Sequence, residues 1–263
     1  MPKKYFSIVC LAISYWLLAV SPASAQLDLP GSLLLGQQQK PPTIKINSGD
    51  LVLVWSANTY VPPGYPGKAL PTYDSMVKIS TLPMTKAGEN LQNVIYNWYI
   101  DGAQGPSAYG EKAKDFLFKA STAAGSYHSA TLKITDSDNN QLLSLTTIIP
   151  VTAPVTVLSM ESSPSAVAYS SAAEIASLSP GETAVFAATP YFFNVSNPFS
   201  LNYQWTFDNA EITRTEEKNK FSVKIADGDI TEAFTKNLGV LAVNPFNEIE
   251  RAAGDIKITI SKN

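Results

Sequence analysis

The sequence predicts an all-β protein of two tandem β-sandwich domains, and three observations carry that prediction. A tyrosine stands two residues before a tryptophan, followed by an apolar residue and an aspartate, at Tyr96-Asn-Trp98-Tyr-Ile100-Asp101 and again at Tyr203-Gln-Trp205-Thr-Phe207-Asp208. The two tryptophans lie roughly a hundred residues apart, the length of one small sandwich. Short apolar or alternating runs, separated by turn residues, fill the chain from Leu51 to Ile260, and no stretch has the period of a long amphipathic helix.

Residues 1-25 read as a secretory signal peptide. Lys3 and Lys4 are a basic start, an apolar run extends from Phe6 to Val20, Ser21-Pro22 break it, and Ala23-Ser24-Ala25 supply the small-x-small pattern ahead of Gln26. About 15 apolar residues fall short of the roughly 20 that cross a bilayer, so membrane attachment is expected only if the leader is retained. A secreted or extracytoplasmic location, in the cell envelope, follows. Cys10, the single cysteine, lies inside the leader. The mature chain therefore has no disulfide, thiolate ligand or cysteine nucleophile, and packed cores must stabilise it.

Residues 26-42 form a flexible spacer, with Pro30, Gly31, Gly36, three consecutive glutamines and Pro41-Pro42. The whole chain carries 19 basic and 22 acidic side chains, a net charge of −3, and loss of Lys3 and Lys4 makes it more acidic. Such a dispersed acidic balance leaves no footprint for nucleic acid.

The first sandwich is placed at 43-153, with strands at Leu51–Trp55, Met76–Ile79, Val94–Ile100, Phe116–Phe118, Tyr127–Ile134 and Leu142–Val151. Val151-Thr-Ala-Pro154 is the junction, because proline cannot donate to a ladder and holds its predecessor extended. The second sandwich, 154-263, repeats the order at Val155–Met160, Thr183–Ala188, Leu201–Phe207, Phe221–Ile225, Phe234–Val243 and Asp255–Ile260. Ser162–Ser179, rich in serine and alanine, reads as a surface loop or a short helix around Ala172–Ile175. The repeat extends past the tryptophans: Val77 and Val185 stand about twenty residues ahead of them, each before a proline, Pro83 or Pro190, and Phe116/Phe118 answer Phe221/Val223.

At these residues the chain resembles the immunoglobulin-like β-sandwiches of the PKD type, in which a Tyr-x-Trp-x-Phe-Gly-Asp-Gly strand and turn precede a Gly-x-Tyr-x-Val strand and a Val-x-Asp-x-x-Gly hairpin. The first unit has Tyr96, Trp98, Ile100-Asp101-Gly102, Gly125-Ser-Tyr127 and Leu132-Lys-Ile134-Thr-Asp136; the second keeps Tyr203, Trp205, Phe207 and Asp208 but has Asn209-Ala210 at the turn. The resemblance, to divergent modules of exported bacterial proteins, implies tandem immunoglobulin-like sandwiches that serve as spacers, adhesins or carbohydrate-associated domains.

Tyr96, Trp98, Tyr203 and Trp205 are read as core residues, the tryptophans filling the gap between facing sheets. Asp136, Asp138 and Asn140 are a weak calcium candidate, since a hard cation wants several oxygens in one turn. Gln141 and Thr147 stand where an EF-hand needs glycine and glutamate, and a hairpin turn is the preferred reading. Asp227-Gly228-Asp229 reads as another turn, and Asn194-Val-Ser196 matches a glycosylation pattern. His128 is the single histidine and is expected to face solvent, so no triad or histidine-based zinc site is expected. The acidic residues fall at turns and in Glu211–Lys220, which argues against a carboxylate-pair hydrolase.

The most unusual segment runs from Asn58 to Tyr73, with four prolines and three tyrosines. Its restricted freedom lowers the entropy lost on binding, so Tyr60, Tyr65 and Tyr73, together with Tyr191, Phe192 and Phe193, are a candidate interaction loop set. The preferred reading is that the segment folds over the open end of its own sandwich or caps an edge strand against aggregation. The function expected is a non-catalytic structural or interaction protein with no cofactor. Its expected partner is a protein or a cell-surface polymer. A carbohydrate-binding or adhesin module using exposed loop aromatics is the alternative.

Overall fold

The computed structural model describes residues 45–89, 91, 93–109, 113–161, 175–213, 215, 217–229 and 231–261. The signal peptide and the spacer lie outside them. The chain from Thr43 to Asn263 forms one compact unit, in which four sheets face each other in two pairs.

The first pair contains β1 (Leu51–Ala57), β2 (Met76–Pro83), β3 (Ile95–Ile100), β4 (Ala103–Tyr109), β5 (Asp115–Lys119), β6 (Tyr127–Thr135) and β7 (Gln141–Pro150), with a one-turn helix α1 (Lys86–Glu89) between β2 and β3. One sheet has the order β1-β2-β5 and the other β4-β3-β6-β7, all antiparallel. The second pair contains β8 (Val155–Met160), β9 (Ile175–Leu178), β10 (Thr183–Tyr191), β11 (Asn202–Phe207), β12 (Ala210–Ile212), β13 (Lys220–Lys224), β14 (Phe234–Asn244) and β15 (Asn247–Ile260). Its sheets run β13-β10-β8 and β12-β11-β14-β15-β9. A three-stranded sheet against a larger sheet, entered at the same points of the chain, is one immunoglobulin-like topology built twice. In the second copy the first strand is split: β8 stays with β10, while β9 crosses to pair parallel with the end of β15.

Alternation along the strands builds each core. In β6, His128, Ala130, Leu132 and Ile134 point inward, and in β10 Ala184, Phe186, Ala188 and Pro190 do. Trp98 and Trp205 are buried at the centre of their sandwiches. Each indole N–H donates to a backbone carbonyl at 3.0 Å, that of Ala113 or Lys218, and each ring lies against a phenylalanine of the opposite sheet, Phe116 at 5.9 Å or Phe221 at 5.7 Å. The aspartates that close the motif also match. Asp101 and Asp208 sit at φ 52° and 51°, and their N–H groups bond to Ser129 and Asn237 on the neighbouring strand. Their carboxylates pair with the preceding residues, His128 and Lys236.

The repeat is shifted by one residue from the sequence reading at β2 and β10. Ile79 lies opposite Phe116, and Phe186 opposite Phe221. The equivalent of Phe186 is therefore Ile79, and that of Val77 is Ala184. Val185 points outward, half-buried, because one position along a strand exchanges the faces. In this register Ile79 and Phe186 stand the same number of positions ahead of their tryptophans, and Pro83 corresponds to Pro190.

His128 corrects another expectation. It is completely buried and in phase with the core residues of β6. Its Nε2 accepts the N–H of Ser121 at 3.1 Å, which leaves the ring proton on Nδ1, 2.6 Å from Asp101 Oδ2. The ring also meets Phe118 edge-on at 5.2 Å. His128→Ala leaves the Ser121 N–H and an Asp101 oxygen without this partner and opens a cavity, at a cost of about 2 to 4 kcal/mol. Urea denaturation followed by far-UV circular dichroism measures it; a midpoint equal to wild type would contradict the structural role.

Candidate functional site

The tyrosine and proline segment between β1 and β2 is built to hold one shape. Thr59 Oγ1 donates to Leu70 O across it at 2.7 Å, Tyr65 N donates to Pro62 O at 3.1 Å to close a turn with Gly64 at φ 81°, and the ammonium of Lys68 sits 3.5 Å from the centre of the Trp55 ring. Burial lowers the Lys68 pKa, since desolvation disfavours the charged form. A β-carbon on Gly67 would stand 2.6 Å from the Tyr65 ring, so glycine is what lets that ring fold across the backbone.

This segment meets the second sandwich. Tyr60 N–H donates to Phe193 O, and Tyr60 O accepts from Phe192 N–H, both at 2.7 Å. Tyr65 stands edge-on to Tyr191 at 5.6 Å and to Phe192 at 5.9 Å. Phe193 is buried with Leu201 and Ala242 in a small core of its own, against which Tyr203 packs. The Tyr203 hydroxyl donates to Pro198 O at 3.0 Å, and burial, then the Tyr60 phenol, push its pKa well above the ordinary tyrosine value. Phe192 holds φ 62°. A bulky side chain in that left-handed region costs about 1 to 3 kcal/mol and persists where its surroundings fix it; here the bridge to Tyr60 and two ring contacts do so.

Glu250 locks the same joint from below. It is 4% exposed. Its Oε1 accepts from Thr72 Oγ1 at 3.2 Å in the first sandwich and from Asn194 N at 2.5 Å in the second, and Oε2 accepts from Asn244 Nδ2 at 2.6 Å. Asn194 Nδ2 donates to Asp74 O at 3.4 Å, and Thr152 N in the connector donates to Pro71 O at 2.9 Å. The amide of the Asn194 glycosylation pattern is thus engaged across the joint.

The candidate loop set therefore converges at one place, against its own chain. Phe192 and Phe193 are buried, Tyr60, Tyr65 and Tyr191 are half-buried, and Tyr73 is 51% exposed. The expectation that the tyrosine loop covers its own sandwich is corrected to covering the neighbouring one. Glu250 went unnoticed in the sequence, although it is in phase with Ala252, Ile256, Ile258 and Ile260 on the inward face of β15. A carboxylate on a core-facing position was the available signal.

At the calcium candidate, Asp136 Oδ1 accepts from Asp138 N and Asn140 N, and Oδ2 accepts from Asn140 Nδ2. These bonds, that of the Asn140 side chain first, lower the Asp136 pKa, and Asn139 takes φ 63° at the tip. The carboxylate is used in shaping the turn. Among the described residues no group of three or more His, Cys, Asp or Glu is placed to hold a metal ion.

Two of the recesses among the described residues are walled mainly by apolar groups. One, about 560 Å³, opens at the far end of the second sandwich between Phe207, Phe221, Phe234 and Ile260, with the Asp227-Gly228-Asp229 turn on its rim. The other, about 430 Å³, lies beside the joint between Tyr73, Ala123, Ala124, Ala153, Pro154 and Ile249.

No family model matches the sequence, and no curated protein matches it. Solved structures with a similar arrangement include the fibronectin(III)-like modules of CbhA from Clostridium thermocellum, at 12% identity and TM-score 0.28 over 80% of this chain and 94% of that one. A putative membrane anchored protein from Corynebacterium diphtheriae is similar at 10% identity and TM-score 0.29, over 78% and 58%. SGBP-B of a Bacteroides ovatus mixed-linkage glucan utilization locus, solved with a mixed-linkage heptasaccharide, is similar at 14% identity and TM-score 0.23, over 79% and 47%. The immunoglobulin-like assignment made above stands on the strand order itself.

Proposed function

We propose that the protein is a non-catalytic, exported interaction protein of the cell envelope, whose two sandwiches act as one rigid body. The observation that supports this reading is the joint. Paired main-chain bonds, edge-on aromatic contacts and a buried carboxylate shared by both sandwiches restrict the hinge that a short connector would otherwise permit. A fixed pair of modules holds binding surfaces at a set distance and angle, which lowers the entropy lost on engaging an extended partner. His128, the residue most suited to acid-base chemistry, is spent on holding a loop, which agrees with a role without turnover.

Co-sedimentation of the mature protein with isolated bacterial envelope fragments tests the proposal. Association without release of soluble sugars or peptides is expected. Loss of binding after protease treatment of the fragments identifies a protein partner, and loss after periodate oxidation identifies a glycan, the alternative for which the exposed Tyr73 is the available stacking ring. Absence of association, or release of soluble products, would overturn the reading.

A further inference from the structure

The hairpin between β14 and β15 presents what the joint leaves unused. Its turn is Pro245-Phe246; after the pair Asn244 and Asn247, the next cross-strand pair is Val243 and Arg251. Glu248, Ile249 and Glu250 are therefore extra residues in β15, a bulge. A bulge re-aims the side chains that it carries. In β15 it leaves Glu250 in phase with the inward residues that follow and Ile249 out to solvent. Ile249 is 82% exposed and Phe246 86%, the most exposed large hydrophobic side chains among the described residues. Ile249 lines the recess of about 430 Å³ with Tyr73, Ala123, Ala124, Ala153 and Pro154, and Phe246 directly precedes Asn247, which lines it too.

We infer that this face binds a second copy of the chain, the Phe246 ring of each copy entering the recess of the other. Knob and recess lie side by side and share Ile249 as their boundary. A two-fold axis through that boundary satisfies both contacts at once, as a self-complementary interface requires. The rim charges obey the same symmetry. Glu248 and Arg251, both exposed, precede and follow Ile249 along the chain, so a two-fold axis at Ile249 brings the glutamate of one copy toward the arginine of the other. The Tyr73 ring, the alanine methyl groups and the Pro154 ring give an aromatic side chain apolar surface to pack on, and the net charge of −3 offers nothing to an anionic membrane. The patch is small, so the dimer is weak and concentration-dependent. This inference goes beyond the proposed envelope role, with which it shares Tyr73 and Glu250 in the wall of the recess.

Sedimentation velocity on the mature chain from about 1 µM to about 1 mM, the range in which so small an interface associates, tests it. A monomer–dimer equilibrium is expected for the wild type. Phe246→Asp is expected to be monomeric throughout with an unchanged melting temperature. Glu248→Arg and Arg251→Glu are each expected to weaken the dimer about tenfold or more, and the double exchange to restore it. A wild type that stays monomeric, or a Phe246→Asp variant that dimerises as the wild type does, would overturn the inference. A monomeric wild type whose envelope binding is lost in Phe246→Asp would assign the face to another partner and also overturn it, leaving the envelope role standing. A dimer that binds no envelope material would remove the envelope role alone.

Discussion

Trp205→Ala is expected to lower the stability of the second sandwich by about 3 to 5 kcal/mol. Single domains of this size are stable by about 5 to 15 kcal/mol, so the loss is a large fraction of the total. The indole is 1% exposed and spans the space between the sheets. Removing it opens a cavity against Phe221 and leaves the Lys218 carbonyl without its donor. Trp205→Phe keeps much of the packing and loses the hydrogen bond, so its cost should be smaller. Urea denaturation followed by far-UV circular dichroism gives the magnitudes, and hydrogen exchange locates them: β10, β11, β13 and β14 should lose protection first. Trp98→Ala should produce the same result in β2, β3, β5 and β6, because that indole has the same bond and the same stacked phenylalanine. A loss below about 1 kcal/mol for either would contradict the core role, since buried aromatic truncations rarely cost so little.

Those two strands were the most legible part of the chain because a large aromatic side chain in an alternating run fixes both the element and its inward face. Elements without such a signal were missed. β4 carries Gly105 and Pro106, β12 has three residues, and both were read as charged or polar connections. β9 lies within Ser162–Ser179, where a loop or helix was expected; Ile175–Leu178 is a strand, and 162–174 lie outside the described residues. A four-residue strand paired in parallel at an edge depends on tertiary contact more than on its own sequence. β15 begins at Asn247, earlier than the expected Asp255, because its first half is polar outside and small or acidic inside.

The site was legible residue by residue and not as an arrangement. Tyr60 and Phe193 are neighbours only because two sandwiches stack end to end, and nothing local to either loop encodes the other. Residues 128 and 250 differ from this. Period-two alternation places both on core-facing positions, so a charged or titratable side chain there implies a buried network. Reading His128 as solvent-facing weighed residue type over phase, and the phase was the stronger physical constraint.

The second large effect follows from that buried network. Glu250→Ala removes the acceptor shared by Thr72, Asn194 and Asn244, leaving three donors in a site that is nearly dry. Each buried donor left without an acceptor costs about 1 to 3 kcal/mol. The loss falls on the joint, because the donors that Glu250 serves, Thr72, Asn194 and Asn244, lie there. Calorimetry should therefore change from one coupled transition to two. Small-angle scattering should show a broader range of inter-module angles, while far-UV circular dichroism stays near wild type. Glu250→Gln separates charge from shape: its carbonyl can still serve Thr72 and Asn194, but its NH₂ group meets the Asn244 NH₂ unless that amide turns over. It should fall between wild type and alanine. A single transition at the wild-type temperature in Glu250→Ala would mean that the aromatic bridge at Tyr60, Phe192 and Phe193 holds the modules by itself; Tyr60→Pro, which deletes the N–H bonded to Phe193, would then be the substitution that uncouples them.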